Sequence, residues 1–133
     1  MKKLIPFLLS LSILLSACEK DENNAESQTL QNGLYRGTFS RTGMDTVNVS
    51  ISVLQGNYEG QSERQFYPAI CRGSFTRDNN GISFQDSCTW QANFDWTLIL
   101  DGSFQLSEDG NKVRIWRTSG PGTDEYLLTR QAR

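Results

Sequence analysis

The chain has 133 residues, with 15 acidic and 13 basic side chains, a net charge of −2 and no histidine. The lack of histidine excludes a Cys-His nucleophile, a Ser-His-Asp triad and every histidine-containing metal site. Lys2 and Lys3 belong to a segment that we expect to be removed. The 13 basic residues then become 11 against 15 acidic ones, a net charge of −4. This charge argues against nucleic acid or an anionic membrane surface as a partner.

Residues 1–17 have the pattern of a secretory signal peptide. Two lysines precede an apolar stretch over residues 4–15, which is too short to cross a bilayer as a permanent helix. The stretch ends in Leu15-Ser16-Ala17-Cys18, which resembles the lipobox of bacterial lipoproteins, where the cysteine is acylated and becomes the first residue. We therefore expect a lipidated Cys18 that holds the mature protein on a membrane. A plain signal peptide with an incidental cysteine is the alternative.

Residues 18–32 are polar and acidic and contain no aromatic side chain. Such a segment cannot bury enough apolar surface to fold, so we expect a flexible acidic tether. Its start, Lys20-Asp21-Glu22, resembles the short signal that sends lipoproteins of Bacteroidota to the outer face of the outer membrane. We predict a lipid-anchored protein of the outer membrane, exposed on the cell surface, with the periplasmic face as the alternative.

From residue 33 onward the composition becomes that of a β domain. Short segments alternate apolar and polar residues in period two, and clusters of Gly, Asn, Asp and Pro separate them. Eight or nine such strands predict a single all-β domain over residues 33–133, an antiparallel up-and-down meander. A meander either closes into a barrel or forms two packed sheets. We favour a small closed β-barrel because every connection is short.

Two cysteines, Cys71 and Cys88, flank a turn signal. Residues 78–81, Asp-Asn-Asn-Gly, have the preferences of a type I turn, and a hairpin centred there places Cys71 opposite Cys88 and Phe75 opposite Phe84. Opposed Cα atoms in an antiparallel pair are about 4.5 to 5.5 Å apart, close enough for a disulfide. A secreted protein meets an oxidising compartment, and acylation of the lipobox cysteine leaves an even pair. We predict a Cys71–Cys88 disulfide.

Two later turns extend the same alternation. A turn centred in residues 108–111 pairs Leu106 with Val113, and one centred in residues 119–122 pairs Val113 with Leu128. One face of three strands is then apolar, and we expect it to point inward. A further strand is expected to begin near residue 95. The other positions expected to face the interior are Tyr35, Phe39, Val47, Val49, Ile51, Val53, Phe94, Trp96, Leu98 and Leu100.

Three stretches resemble a group of small lipoproteins of Bacteroidota that are described as lipocalin-like: GLYRGTF at the start, ISFQDSCTWQANFDWTLILDGSFQLSEDGNKVRIWR in the centre, and DEYLLTR near the end. The similarity covers most of residues 33–130 and is most specific over residues 94–104. The resemblance implies a small lipocalin-like meander barrel on a lipid anchor, and it implies no particular ligand. The chain is markedly shorter than true lipocalins, which argues against a large interior cavity.

A first candidate site lies at one end of the predicted barrel. Eight strands enclose a space just wide enough to be filled by side chains or to admit one small molecule. A ligand at the barrel mouth would contact Trp90 and Trp96, with Tyr35 or Arg72 as a polar contact. The competing interpretation is that these bulky aromatic side chains are simply core. We expect no cofactor and no metal ion.

A second candidate site lies on the outer face. If the apolar face points inward, Arg114 and Trp116 point outward, and the turn at residues 119–122 places Trp116 beside Glu125 and Arg114 beside Leu127. Trp, Leu and Arg together on a surface are typical of protein interfaces. The alternative is that a neighbouring loop covers Trp116.

These observations favour a non-enzymatic binding module that takes a small apolar molecule or a glycan at the barrel mouth. A protein-interaction or enzyme-inhibitor lipoprotein that uses its outer surface is the alternative. Carboxylates such as Asp95 and Asp101 are suited in principle to acid–base work, but acidic residues in turns are ordinarily solvated. The sequence has no P-loop or dinucleotide-binding fingerprint, and we expect no enzymatic activity.

Overall fold

The computed structural model describes residues 30–133, in which eight strands form a closed antiparallel barrel. Each strand pairs with the next one along the chain, and the last pairs with the first. The predicted all-β up-and-down barrel is confirmed. Its strands are β1 (Gly33–Arg41), β2 (Val47–Leu54), β3 (Asn57–Ser62), β4 (Arg72–Arg77), β5 (Gly81–Asp86), β6 (Gly102–Asp109), β7 (Lys112–Ser119) and β8 (Gly122–Arg130), and a short 3₁₀ helix spans Trp96–Leu98.

Side chains fill the interior of the barrel. The inward residues predicted for β1 and β2 are at most 5% exposed. Aromatic rings cross the interior in contact: the ring centroid of Tyr126 lies 4.8 Å from that of Phe39 and 6.1 Å from that of Phe104, and Phe104 lies 5.7 Å from Phe84. Tilted and edge-to-face pairs of this kind add about 0.5 to 1.5 kcal/mol each beyond their buried area. The barrel is therefore packed with side chains rather than hollow.

The two ends of the barrel differ in loop length. One end, here called the base, carries short hairpin loops at residues 55–56, 78–80 and 110–111. The opposite end, here called the mouth, carries the connections at residues 42–46, 63–71, 87–101 and 120–121. Long loops are where binding sites concentrate, since a rigid scaffold holds them in place. The mouth is therefore the natural end of this barrel for a site.

The register of most predicted hairpins is confirmed. Phe75 lies opposite Phe84, and Val113 lies opposite Leu128. The predicted register of β6 with β7 was wrong by two residues, because Leu106 pairs with Ile115 rather than with Val113. The turn is a tight loop at residues 110–111 whose first residue, a glycine, has a φ of +58°, as a two-residue hairpin loop can require. A shift of two keeps the same faces inward.

The strand predicted to begin near residue 95 does not form. The carboxylate of Asp95 instead accepts a hydrogen bond from the backbone N–H of Thr97 and caps the 3₁₀ helix. As a result Trp96 points outward and is 57% exposed, whereas Leu98 and Leu100 are buried. The segment from residue 87 to residue 101 therefore folds back over the mouth as a lid of irregular structure.

The barrel domain includes a residue that the sequence analysis places in the acidic tether. Leu30 is only 4% exposed and belongs to the core, because its apolar side chain packs with the residues that close the base. The carbonyl of Gln31 accepts a hydrogen bond from the hydroxyl of Tyr35, and the side chain of Asn32 accepts one from the backbone of Gln55. The predicted signal peptide, Cys18 and most of the tether lie outside the described residues.

Candidate functional site

The predicted disulfide is confirmed and lies at the mouth. Cys71 and Cys88 are bonded, with their Cα atoms 6.3 Å apart. Cys71 ends one long mouth loop, residues 63–71, and Cys88 lies in the other, residues 87–101. Backbone hydrogen bonds from Ala69 to Leu98, and from Leu100 back to Ala69, join the same two loops. The loops over the mouth thus form one cross-linked layer.

An internal hydrogen bond fixes this layer to the barrel. The hydroxyl of Tyr58, which points inward from β3, donates to the backbone carbonyl of Leu100 at 3.0 Å. Burial raises the pKa of the Tyr58 hydroxyl, with the carboxylates of Asp86 and Asp101 adding to the effect. The hydroxyl therefore stays protonated and can donate this bond throughout the ordinary pH range.

A groove of about 850 Å³ opens on the mouth beside this layer. Its walls include the two tryptophans named by the sequence, Trp90 and Trp96. The indole N–H of Trp90 donates to a carboxylate oxygen of Asp86 at 2.7 Å, which sets the orientation of the ring. The carboxylate of Asp101 and the hydroxyl of Ser119 lie on the same groove. Aromatic surface and hydrogen-bonding groups therefore meet in one depression.

A row of aromatic rings supports the groove. Phe66, from the loop at residues 63–71, stacks on Phe94 with a centroid distance of 4.4 Å and an angle of 8°. Trp90 lies edge-on to both rings, at 6.1 Å and 5.6 Å. Trp96 lies 6.2 Å from Phe94 and leaves much of its own surface to solvent. Phe66 could not be predicted as a site residue, because its ring joins this row only through the cross-linked loops.

Three charged side chains continue the inward rows of the barrel at the mouth. Arg41 of β1 and Arg117 of β7 both lie opposite Asp124 of β8. Arg41 holds the carboxylate of Asp124 with two bonds, of 2.6 Å and 2.8 Å, and the Nε of Arg117 lies 3.5 Å from it. Asp124 is only 6% exposed, and a buried carboxylate of this kind needs such partners.

The two arginines also hold the lid. Arg41 donates to the carboxylate of Asp95 at 3.0 Å and to the hydroxyl and carbonyl of Thr97. The hydrogen bond to Asp124 raises the pKa of Arg41, and the contact with Asp95 raises it to a smaller extent. Arg117 donates to the carbonyls of Thr97 and Asp101 at 2.7 Å and 2.8 Å. Its guanidinium also lies 4.3 Å over the centroid of the Phe104 ring and closes the top of the core.

Two other carboxylates of the groove, Asp86 and Asp101, are not held by an arginine side chain in an ion pair within the described part of the chain. Asp86 accepts from Trp90 through one oxygen, and its other oxygen is buried without a protein partner. Asp101 accepts from the backbone N–H of Asp86 at 2.9 Å through one oxygen, and the residue as a whole is exposed. Neither carboxylate forms an ion pair within residues 30–133. Two arginines and four carboxylates therefore meet at this groove, which gives it a net negative charge.

The structure brings together only two of the four residues predicted to contact a ligand. Tyr35 is buried at the base, far along β1 from the mouth, and burial raises the pKa of its hydroxyl. Arg72 is exposed and lines a separate groove on the outer face of β2 to β5. Neither therefore supplies the polar contact expected of it: Tyr35 lies at the wrong end of the barrel, and Arg72 lies at the mouth end of β4 but points outward. Trp90 and Trp96 share the mouth groove.

The side chains of the second candidate site are neighbours, as predicted. Trp116 lies opposite Glu125, and Arg114 lies opposite Leu127. The guanidinium of Arg114 lies 4.1 Å over the Trp116 ring and its Nε lies 2.6 Å from a carboxylate oxygen of Glu125. Leu127 is 48% exposed and Trp116 is half-buried. The function of this cluster as an interface remains a prediction.

Over residues 30–133 no three His, Cys, Asp or Glu side chains are grouped so that they could hold a metal ion. The same residues contain no helix of the length and apolar character needed to span a membrane. Comparison with known proteins gave no family model, no curated protein and no solved structure that matches this chain significantly.

Proposed function

We propose that this protein is a non-enzymatic binding module that takes a glycan or a similar small molecule on the mouth groove. The observation that carries the proposal is the position of Trp90 and Trp96 in one groove, next to the carboxylates of Asp86 and Asp101, which form no ion pair within residues 30–133. Exposed aromatic rings in a concave site, with a few convergent polar groups, are the usual composition of a small-molecule site. The filled interior supports a ligand on the mouth rather than inside the barrel.

Polar walls favour the glycan over the small apolar molecule. A sugar ring has an apolar face of C–H groups that can lie on indole, and hydroxyls at its edge that can bond to carboxylates. Asp101 and Ser119 are exposed on the groove, and Trp96 offers a ring that is more than half exposed. An apolar ligand would leave the charged walls of this groove desolvated and unpaired, which is costly.

We further propose that the protein works from a lipid anchor on the bacterial outer membrane, facing the cell surface or, alternatively, the periplasm. The lipobox at Cys18 and the likeness to small lipocalin-like lipoproteins support this proposal. Two or more acyl chains hold a protein on a bilayer stably. A disulfide-linked mouth layer suits a protein of an oxidising compartment.

Replacement of the exposed indole tests the proposed site. We expect Trp96→Ala to weaken glycan binding about tenfold or more, since aromatic anchors of a site often carry that much of the binding energy. The matched control is Trp116→Ala, which removes an indole from the outer face of β7. Binding of the mature lipoprotein in detergent is measured on a glycan array and then by calorimetry. Equal binding by wild type and Trp96→Ala would contradict the proposed site.

One observation favours the alternative function, protein interaction through the outer surface. Leu127 is 48% exposed beside the stacked Arg114 and Trp116 pair. If a protein partner binds this cluster, Leu127→Asp should abolish that binding and leave glycan binding unchanged. Cross-linking in intact cells compares Leu127→Asp with Trp96→Ala. Only Leu127→Asp should lose a cross-linked protein partner.

A further inference from the structure

The charges of the mouth groove restrict which sugars it can take. Resting on the proposed function, we infer that the groove binds neutral or amine-bearing glycans and rejects acidic ones, such as those with uronate, sialate, sulfate or phosphate groups. The arginines around the groove are already bonded within the protein, whereas two of its carboxylates have no cationic partner within residues 30–133.

Arg41 has no N–H left for an anionic ligand. A guanidinium has five N–H donors in a fixed plane. The Nε and one Nη2 donor of Arg41 bond to Asp124, a second Nη2 donor bonds to the carbonyl of Thr97, and the two Nη1 donors bond to Asp95 and to the Thr97 hydroxyl. All five donors are therefore used within the protein.

Arg117 is largely engaged as well. Its Nε faces Asp124, one Nη1 donor bonds to the carbonyl of Asp101, and one Nη2 donor bonds to the carbonyl of Thr97. Two donors remain, but the guanidinium lies on the Phe104 ring and its charge is shared with the buried carboxylate of Asp124. These two donors can bond to a sugar hydroxyl, while the positive charge of Arg117 is already paired with Asp124.

The remaining charge on the groove is negative. Arg41 and Arg117 are matched by Asp124 and Asp95, which leaves Asp86 and Asp101 on the groove wall without a cationic partner. An acidic sugar on Trp90 or Trp96 would therefore add negative charge to a groove that is already net negative. Like charges repel, so an acidic group is disfavoured there. An ammonium group would instead be attracted to the carboxylates and to the indole faces.

A matched panel of oligosaccharides tests the selectivity. Mature lipoprotein in detergent is titrated with β-1,4-linked gluco oligomers of equal length that are neutral (cello-oligosaccharides), cationic (chitosan oligomers) and anionic (cellouronate oligomers). We expect the anionic series to bind at least about tenfold more weakly than the best of the other two, with the difference shrinking as salt rises. Anionic oligomers that bind as tightly as the others would overturn the inference and leave the proposed function standing. If an array that spans all three classes shows no binding by any glycan, both are overturned.

A charge variant makes the test specific to the groove. Asp101→Asn removes one groove charge while its amide oxygen can still accept from the backbone N–H of Asp86. We expect the preference for amine-bearing over acidic oligomers to fall by about threefold to tenfold. Asp109→Asn removes the same charge from the base end of β6 and should leave the preference unchanged. Equal changes in both variants would show that net charge, rather than the groove, sets the selectivity.

Discussion

At the scale of single residues, one glycine decides how closely two strands approach. Gly37 lies on the inward row of β1 between two buried aromatic residues. A Cβ atom at this position would overlap the backbone carbonyl oxygen of Leu127 in β8. The backbone cannot move away easily, because β1 and β8 pair along seven positions to close the barrel.

We therefore expect Gly37→Ala to lower the free energy of unfolding by about 1 to 3 kcal/mol, as overpacking of a well-packed core does. The control is Gly122→Ala, where the nearest heavy atom to the new Cβ would be the Cβ of Thr42 at 3.9 Å, an ordinary contact. Urea unfolding followed by tryptophan fluorescence measures both variants. If they are equally stable, the close approach of β1 and β8 is not rigid.

At the same scale, the charged residues of the mouth were visible in the sequence but were not recognised. Arg41, Arg117 and Asp124 each continue an inward-facing row of apolar residues at the end of a strand. A charged residue on an inward row indicates a partner at the barrel end. Which charges meet could not be predicted, because Arg41 and Asp124 are 83 positions apart.

At the scale of elements, hairpins were predictable and the lid was not. Asp78 accepts hydrogen bonds from the backbone N–H groups of Asn80 and Gly81, so the turn that sets the Cys71–Cys88 register is encoded locally. Residues 94–100 alternate like a strand, yet the carboxylate of Asp95 starts a 3₁₀ turn there. The alternation could not distinguish a strand from a lid that buries its last leucines.

The disulfide is the element-scale feature with the largest expected effect. It links positions 17 residues apart, and a closed loop of that size stabilises the fold by about 3 kcal/mol in the chain-entropy model. We expect the double variant Cys71→Ser, Cys88→Ser to unfold at correspondingly lower urea concentration. It should also weaken glycan binding, because Phe66 and Trp90 lie on the two loops that the bond joins.

The folded state of that double variant gives the control measurement. Its far-UV circular dichroism should match that of the wild type, since the eight strands do not depend on the bond. Unchanged stability would show that the backbone bonds between Ala69 and its two partners, Leu98 and Leu100, already hold the two loops together.

At the scale of the whole molecule, buried tyrosines make stability depend on alkaline pH. Burial raises the pKa of Tyr58 and Tyr126 in the folded protein above their ordinary value of 10.0. The unfolded chain therefore releases protons first as the pH rises. Stability is fully present below about pH 10 and falls as the pH climbs above it, since the folded state binds more protons there.

We expect the free energy of unfolding to be flat from about pH 8 to about pH 10 and to decrease steadily above that range. Urea unfolding at each pH, with tyrosinate absorbance as a second signal, measures it. Tyr58→Phe removes one of the three tyrosines whose pKa burial raises, Tyr35, Tyr58 and Tyr126, and should make the decrease shallower. A stability that stays flat to pH 12 would show that these hydroxyls are not desolvated in the folded protein.

The sequence by itself determined the all-β class, the up-and-down order of the strands, most inward faces and the disulfide. These features follow from period-two alternation and from turn residues, which act over a few positions along the chain. Only the tertiary structure decided that the interior is filled, that Tyr35 and the tryptophans lie at opposite ends, and that two arginines enclose Asp124. Those outcomes depend on contacts between residues that are far apart in sequence, such as Arg41 with Asp124, and they form only when the barrel closes.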